Sequence, residues 1–310
     1  MSAPASPNSP PGVLFNVLGS TLFALLYAYT SLLQPLSGEA IYGWRMLMTF
    51  PCLTVLLLLT GHGHEVRRIA GRLFSERYFW AQRLLSAALL GTQLWLFMWA
   101  PVNGYGLDVS LGYFLLPISM VVVGRLAFRD RISRLQGLAC GLATVGVVCQ
   151  IVIAEAVSWP ALLVCLGYPG YFWLRRVTDT NNPGALWFDM AIGLPVSLFF
   201  VLKGGQWLPP GSPSALPWLI LGLGILSASA LGFQALSAPR LNLTLFGLLI
   251  YVEPVLLVLV ALLLGESIAP SQWPTYLAIW LAVLVLIAEG VSALHQTRGP
   301  GALVRAPGQT

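Results

Sequence analysis

Residues 242–264 read NLTLFGLLIYVEPVLLVLVALLL, with Glu253 as the one formally charged residue, 11 positions from either end. A helix crossing a hydrocarbon core of roughly 30 Å needs about 20 mostly apolar residues. A soluble surface helix is apolar on one stripe only. This stretch is therefore read as a membrane span with a carboxylate near its midplane.

Working outward, comparable runs fall at about 12–33, 39–60, 78–100, 106–124, 134–153, 158–174, 184–202, 214–236 and 272–293, which makes ten with 242–264. The connections are short, and the longest, around 61–77, is expected to be a loop. Of the 310 residues 57% are hydrophobic and 9% charged, against about a quarter charged in soluble domains. That balance excludes a secreted or cytosolic enzyme. Continuous apolar runs rather than alternating segments of about ten exclude an outer-membrane barrel. The first eleven residues hold no Lys or Arg, and the run after them is long enough to span, which argues against a cleaved signal.

The net charge of +5 is explained by position. With the N-terminus inside, 13 of the 16 Lys and Arg residues fall on the cytoplasmic side: Arg67, Arg68, Arg72, Arg77, Arg125, Arg129, Arg131, Arg134, Arg175, Arg176, Arg240, Arg298 and Arg305. Lys203 lies outside, and Arg45 and Arg83 lie within helices. The positive-inside rule then puts both termini in the cytoplasm, and the basic balance needs no nucleic acid. Cys52, Cys140, Cys149 and Cys165 fall in apolar helices as packing residues. His62, His64 and His295 are too sparse for a metal site, so no metal and no cofactor are expected.

Ten helices divide into two fives, and the halves share features in the same order. Arg45 precedes Pro51 by six residues, as Asp189 precedes Pro195. Ala100-Pro101 matches Ala238-Pro239; Gly112 and Pro117 match Gly247 and Pro254; Asp130, Ile132 and Gln136 match Glu266, Ile268 and Gln272. Because five is odd, the second unit enters from the opposite side. The expected fold is an all-α integral membrane protein with ten transmembrane helices as two inverted five-helix repeats. The units are 12–153 and 158–294, flanked by a disordered cytoplasmic N-terminus over 1–11 and a disordered tail over 295–310. Inverted repeats recur in secondary transporters, around a site near the midplane.

Five segments, LWLFMWAPVNG (94–104), DVSLGYFLLP (108–117), RDRISRLQGLACGLATVGV (129–147), GYPGYFWLRR (167–176) and YVEPVLLVLVALLLGES (251–267), resemble RarD-type permeases. These form part of the EamA-like family of the drug/metabolite transporter superfamily, and the resemblance covers nearly all of 12–294. It implies a multi-pass permease of the bacterial inner membrane with a central cavity. The sequence departs from the family at Asp108, where Glu is usual, at Leu116, where Asn is usual, and at Trp44-Arg45, where His-Arg is usual.

Charges at depth are functional candidates, since they are costly in a bilayer. Glu253 suits proton coupling or pairing with a cationic substrate group, and Pro254 is expected to kink its helix, as Pro117 kinks the fourth. Arg45 and Asp189 each lie roughly 9 Å from a helix end at 1.5 Å per residue, on different levels. Arg45 is placed near Glu253 or the substrate's anionic end, and Asp189 at the inner gate. Asp108 is read as an N-cap or as lining the outer mouth, and Arg83 and Glu289 as snorkelling to the surface. Trp95, Trp99, Tyr113, Phe114 and Tyr171 are candidate cavity-lining aromatics beside Pro117 and Pro254. Gly137 and Gly141 form a GxxxG read as internal helix packing.

The chain is thus expected to be a secondary active permease, exporting small organic metabolites such as amino acids or drugs by alternating access and coupled to protons. Its expected partners are a small-molecule substrate, protons and the lipid bilayer, and it acts as monomer or homodimer. No GxxxxGK[ST] sequence occurs, so it is not expected to be an ATP-driven pump or an enzyme. A passive channel, an intramembrane enzyme or a lipid-translocating protein are the alternatives.

Overall fold

A computed structural model describes residues 8–33, 36–103, 105–154, 158–203, 213–256 and 270–298. The described residues are helical, with no strand among them. The helices are α1 (Pro10–Thr30), α2 (Gly38–Leu59), α3 (Gly63–Ser75), α4 (Phe79–Val102), α5 (Gly106–Phe128), α6 (Arg134–Ala154), α7 (Trp159–Val177), α8 (Pro183–Lys203), α9 (Leu216–Ser237), α10 (Leu243–Leu249) and α11 (Trp273–Arg298). Apart from α3, each falls on one of the expected apolar stretches. Six of them are long and apolar enough to cross a membrane, and the apolar stretches Leu243–Leu256 and Trp273–Glu289 are shorter. Residues 1–7, 257–269 and 299–310 lie outside the described set, and with them Glu266, Ile268 and the termini expected to be disordered.

The segment expected as a loop, 61–77, is instead mostly the amphipathic helix α3. Ile69 and Leu73, four apart, bury one face, while Arg67 and Arg68 stay on the other. Glu65 in its first turn and Arg72 in its last agree with the helix dipole. Arg72 grips Glu76 through Nε and one amino group, at 2.6 and 3.0 Å. That bond holds the exposed Glu76 carboxyl below the usual carboxylate range. Three contacts tie α3 to the turn between α7 and α8. The Gly184 N–H donates to Glu65 Oε2 at 2.9 Å, Arg72 donates to the Thr178 carbonyl at 2.8 Å, and Arg68 pairs with Asp179.

Two apolar cores result. One gathers Leu26, Tyr42, Met46, Leu90, Leu186, Met190, Leu223 and Leu231 from α1, α2, α4, α8 and α9. The other gathers Leu116, Met120, Ala139, Ala143, Val164, Phe246, Ile279 and Val283 from α5, α6, α7, α10 and α11. Each therefore draws on both halves of the chain. Two glycines permit close crossings: a Cβ on Gly112 would meet Ala161 and Val164 of α7 at 2.7–3.0 Å, and one on Gly247 would run into Met120 of α5. By contrast, a Cβ at Gly137 or Gly141 would meet nothing within 4 Å. The GxxxG motif lies on an open face and does not pack inside the bundle.

The two equivalent prolines act differently. α5 runs unbroken through Pro117. α10 stops at Leu249, and helix resumes only over 252–256. A proline ring clashes with the carbonyl four residues earlier, which for Pro254 is Ile250, at the break. There the bonds tighten to i→i+3, from Ile250, Tyr251 and Glu253 back to Gly247, Leu248 and Ile250. The Tyr251 hydroxyl donates to the Phe114 carbonyl at 2.8 Å and stitches the break to α5.

Candidate functional site: a cavity at the seam of the two cores

At the seam between the cores lies a cavity of about 70 Å³. Phe23 enters it from α1, Leu90 and Leu94 from α4, Tyr113 and Leu116 from α5, and Leu231 and Gln234 from α9. Tyr168, Tyr171, Phe172 and Arg175 come from α7, and Ile250 and Glu253 from the broken segment around α10. Successive lining positions on α9, Leu231 with Gln234 and Ala235, follow the three- and four-residue spacing that keeps side chains on one helix face. The wall is thus apolar and aromatic with a few polar groups, the usual chemistry of a small-molecule site.

Arg45 is not itself a lining residue but stands against Phe23 of the wall. It is 1% exposed, and Nε donates to the Ser227 hydroxyl of α9 at 2.9 Å. Phe23 and Phe97 flank its guanidinium, each ring centre 5.8 Å from Cζ. Its electrostatic neighbours are Tyr168 first, then Tyr113, Glu253 and Tyr42. The two amino groups make no hydrogen bond to any described residue. Arg45 and Glu253 make no ion pair among the described residues.

Asp189 stands elsewhere. Its carboxylate pairs with Arg83 Nη1 at 3.2 Å and accepts from Ser86 at 2.8 Å and Tyr171 at 3.2 Å. Arg83 also donates to Thr180 at 2.8 Å, and both ion-pair side chains are fully buried. Arg175 closes the network. It donates to the Tyr171 hydroxyl at 2.7 Å, the Thr180 carbonyl at 3.1 Å and the Asn182 carbonyl at 2.6 Å. Several readings change here. Arg83 does not snorkel, because its register turns it inward onto Asp189. Arg175, counted in the sequence among the cytoplasmic charges, is a buried part of this network. Glu289 is half-buried and accepts from Gln136 Nε2 at 3.2 Å, so it does not snorkel either.

Of the aromatics expected to line a cavity, Tyr113 and Tyr171 do, and Tyr113 meets Tyr168 with ring centres 6.1 Å apart. Phe114 instead packs in a core against Tyr276. Trp95 and Trp99 stack on each other at 4.9 Å, and Trp99 continues to Tyr105 and Trp159. These rings form a cluster at one end of α4 outside the lining, as do interfacial aromatics generally. Pro117 and Pro254 are likewise not among the lining residues. Asp108 is no N-cap: Tyr105 holds that position, and Asp108 sits partly exposed in the first turn of α5, where a negative charge suits the dipole. Sequence reasoning missed Ser227, Ser86, Thr180 and Gln234. For Ser86 a signal existed, since Arg83, Ser86 and Gln93 repeat on one face of α4.

Among the described residues no group of His, Cys, Asp and Glu is arranged to hold a metal. No protein-family profile matches the chain. Relatives do. An uncharacterized transporter of Haemophilus influenzae is 36% identical over 281 residues, 90% of this chain and 94% of the relative. A Pseudomonas aeruginosa protein named chloramphenicol-sensitive protein RarD is 40% identical over 276 residues, 88% of this chain and 92% of the relative. The chain belongs to the RarD-type permeases. Escherichia coli RarD is a more distant member at 25% identity, covering 92% of this chain and 97% of its own length. A crystal structure 14% identical, with a TM-score of 0.64, covers 91% of this chain and 98% of that one and shares the fold. Membership of the RarD family, with the apolar helices, makes the chain a multi-pass membrane transporter.

Proposed function

We propose that this permease is a secondary active exporter of small organic metabolites such as amino acids or drugs, working by alternating access with Glu253 as the proton-coupling residue. In this reading ten helices span the bacterial inner membrane as two inverted repeats, with both termini cytoplasmic. The observation that carries it is the seam cavity, with Glu253 on its wall at the break of α10. A broken helix beside a central cavity is a recurring transporter feature.

The helix pairing supports the repeat. Exchanging the halves takes the α1/α9 pair to α7/α4, and α2/α9 to α8/α4. The pairs α2/α8, α5/α10 and α6/α11 map onto themselves. All of these pairs are in contact.

Comparing metabolites in cells that overexpress or lack the protein identifies the transported compound and its direction. In proteoliposomes that compound is expected to move with an imposed proton gradient. Transport by Glu253→Gln with unchanged pH dependence refutes the coupling role.

A further inference from the structure

We propose that the two free amino groups of Arg45 anchor a carboxylate of the substrate, so that the transported molecule is a small monocarboxylate with an apolar or aromatic body. This rests on the transporter reading above and narrows its substrate class.

A guanidinium that is 1% exposed and keeps both amino groups without a bond to any described residue is costly. Such charges are normally paired and hydrogen-bonded. The bond from Nε to Ser227 fixes the guanidinium and leaves the amino pair free. Phe23, one of the two rings that flank the guanidinium, lines the cavity, as do Tyr168, Tyr113 and Glu253, which lie within electrostatic reach of it. Two N–H groups held side by side match the two oxygens of a carboxylate. Tyr113 and Tyr168 put phenols on the cavity wall.

The charge balance selects a monoanion. Arg175, the arginine on the wall, has all three nitrogens engaged at 2.6–3.1 Å. Arg45 then offers one positive charge, which a single carboxylate balances when Glu253 is protonated, whereas a dianion leaves a charge over in either state of Glu253. Apart from Gln234 and the Tyr171 ring, the rest of the wall is apolar, with Phe23, Leu90, Leu94, Leu116, Phe172 and Leu231 on it. A cavity of about 70 Å³ holds about five waters, which limits the occupant to a small molecule.

Phenylacetate is a probe of that size, and phenylacetamide is its neutral counterpart. Binding is read by calorimetry on the full chain in lipid nanodiscs. The carboxylate is expected to bind about tenfold or more tightly than the amide. Arg45→Gln is expected to erase that preference, and Arg45→Lys to keep part of it, because the charge remains and the fork is lost. Thermal unfolding establishes that each variant is folded. Equal affinities for the two probes in the unmodified protein, or binding of neither at about 10 mM, overturns the proposal without any variant. If the cellular substrate is transported equally well by Arg45→Gln, the anchor fails while the transporter reading stands. If carboxylate binding depends on Arg45 but proteoliposomes move no compound, the transporter reading fails and the anchor stands.

Discussion

Arg83 and Arg45 are both buried to 1% exposure or less, and they are wired in opposite ways. In Arg83 the amino groups are taken by Asp189 and Thr180, while Nε makes no bond to a described residue. In Arg45 Nε is taken by Ser227 and the amino pair is idle. The first is a closed network linking α4, α7 and α8. The second is an open valence beside a cavity. The contrast teaches that burial alone does not set the part a charge plays; the two arginines differ in whether the paired amino groups are spent.

The largest expected effect breaks the closed network. Arg83→Met strands Asp189 without its cation, and removing one member of a buried pair costs about 3–5 kcal/mol. Thermal unfolding in detergent should show a large drop, partly recovered by adding Asp189→Asn. Thr180→Val removes one acceptor of Arg83 and is expected to cost about 1–2 kcal/mol. Ser227→Ala frees Nε of Arg45 and is expected to cost about 1 kcal/mol, with carboxylate binding weakened because the guanidinium loses its alignment. Arg45→Met is the sharpest test despite its small size. It removes a charge that has no ion pair among the described residues, so ligand-free stability should stay within about 1 kcal/mol of the unmodified protein or rise, while carboxylate binding is lost. A loss as large as that of Arg83→Met would mean that both arginines are structural.

The smallest effect is at Glu76. Its carboxyl is held below the ordinary value by Arg72, so its contribution is present above the ordinary carboxylate range and fades as pH falls through the depressed value. Being exposed, it is also screened by salt. Glu76→Gln should leave thermal unfolding at neutral pH nearly unchanged, and any residual difference should vanish at high salt.

The helices were legible because lipid demands unbroken apolar runs. α3 was not, since its 13 residues carry one narrow apolar stripe, Ile69 and Leu73, among charges. The depth of Arg45 and Glu253 could be counted along their helices; Glu253 lines the cavity, and Arg45 stands against Phe23 of its wall. The partner of Asp189 could not be counted, because distance along a helix gives level and not azimuth. Arg83, near the start of α4, has the level of a snorkelling residue and the azimuth of a core one. Trp95 and Trp99 share a face as expected, but that face meets Tyr105 and Trp159 instead of the cavity.

The contacts of α3 also bear on the order of biosynthesis. Arg72 is made 106 residues before its acceptor Thr178, and Glu65 119 residues before Gly184. Until α8 is made, Ile69 and Leu73 lack Ala185 and Phe188, with which they cluster in the finished protein. The late half of the chain is therefore registered against the early half through α3, a helix that is amphipathic where its neighbours are apolar throughout.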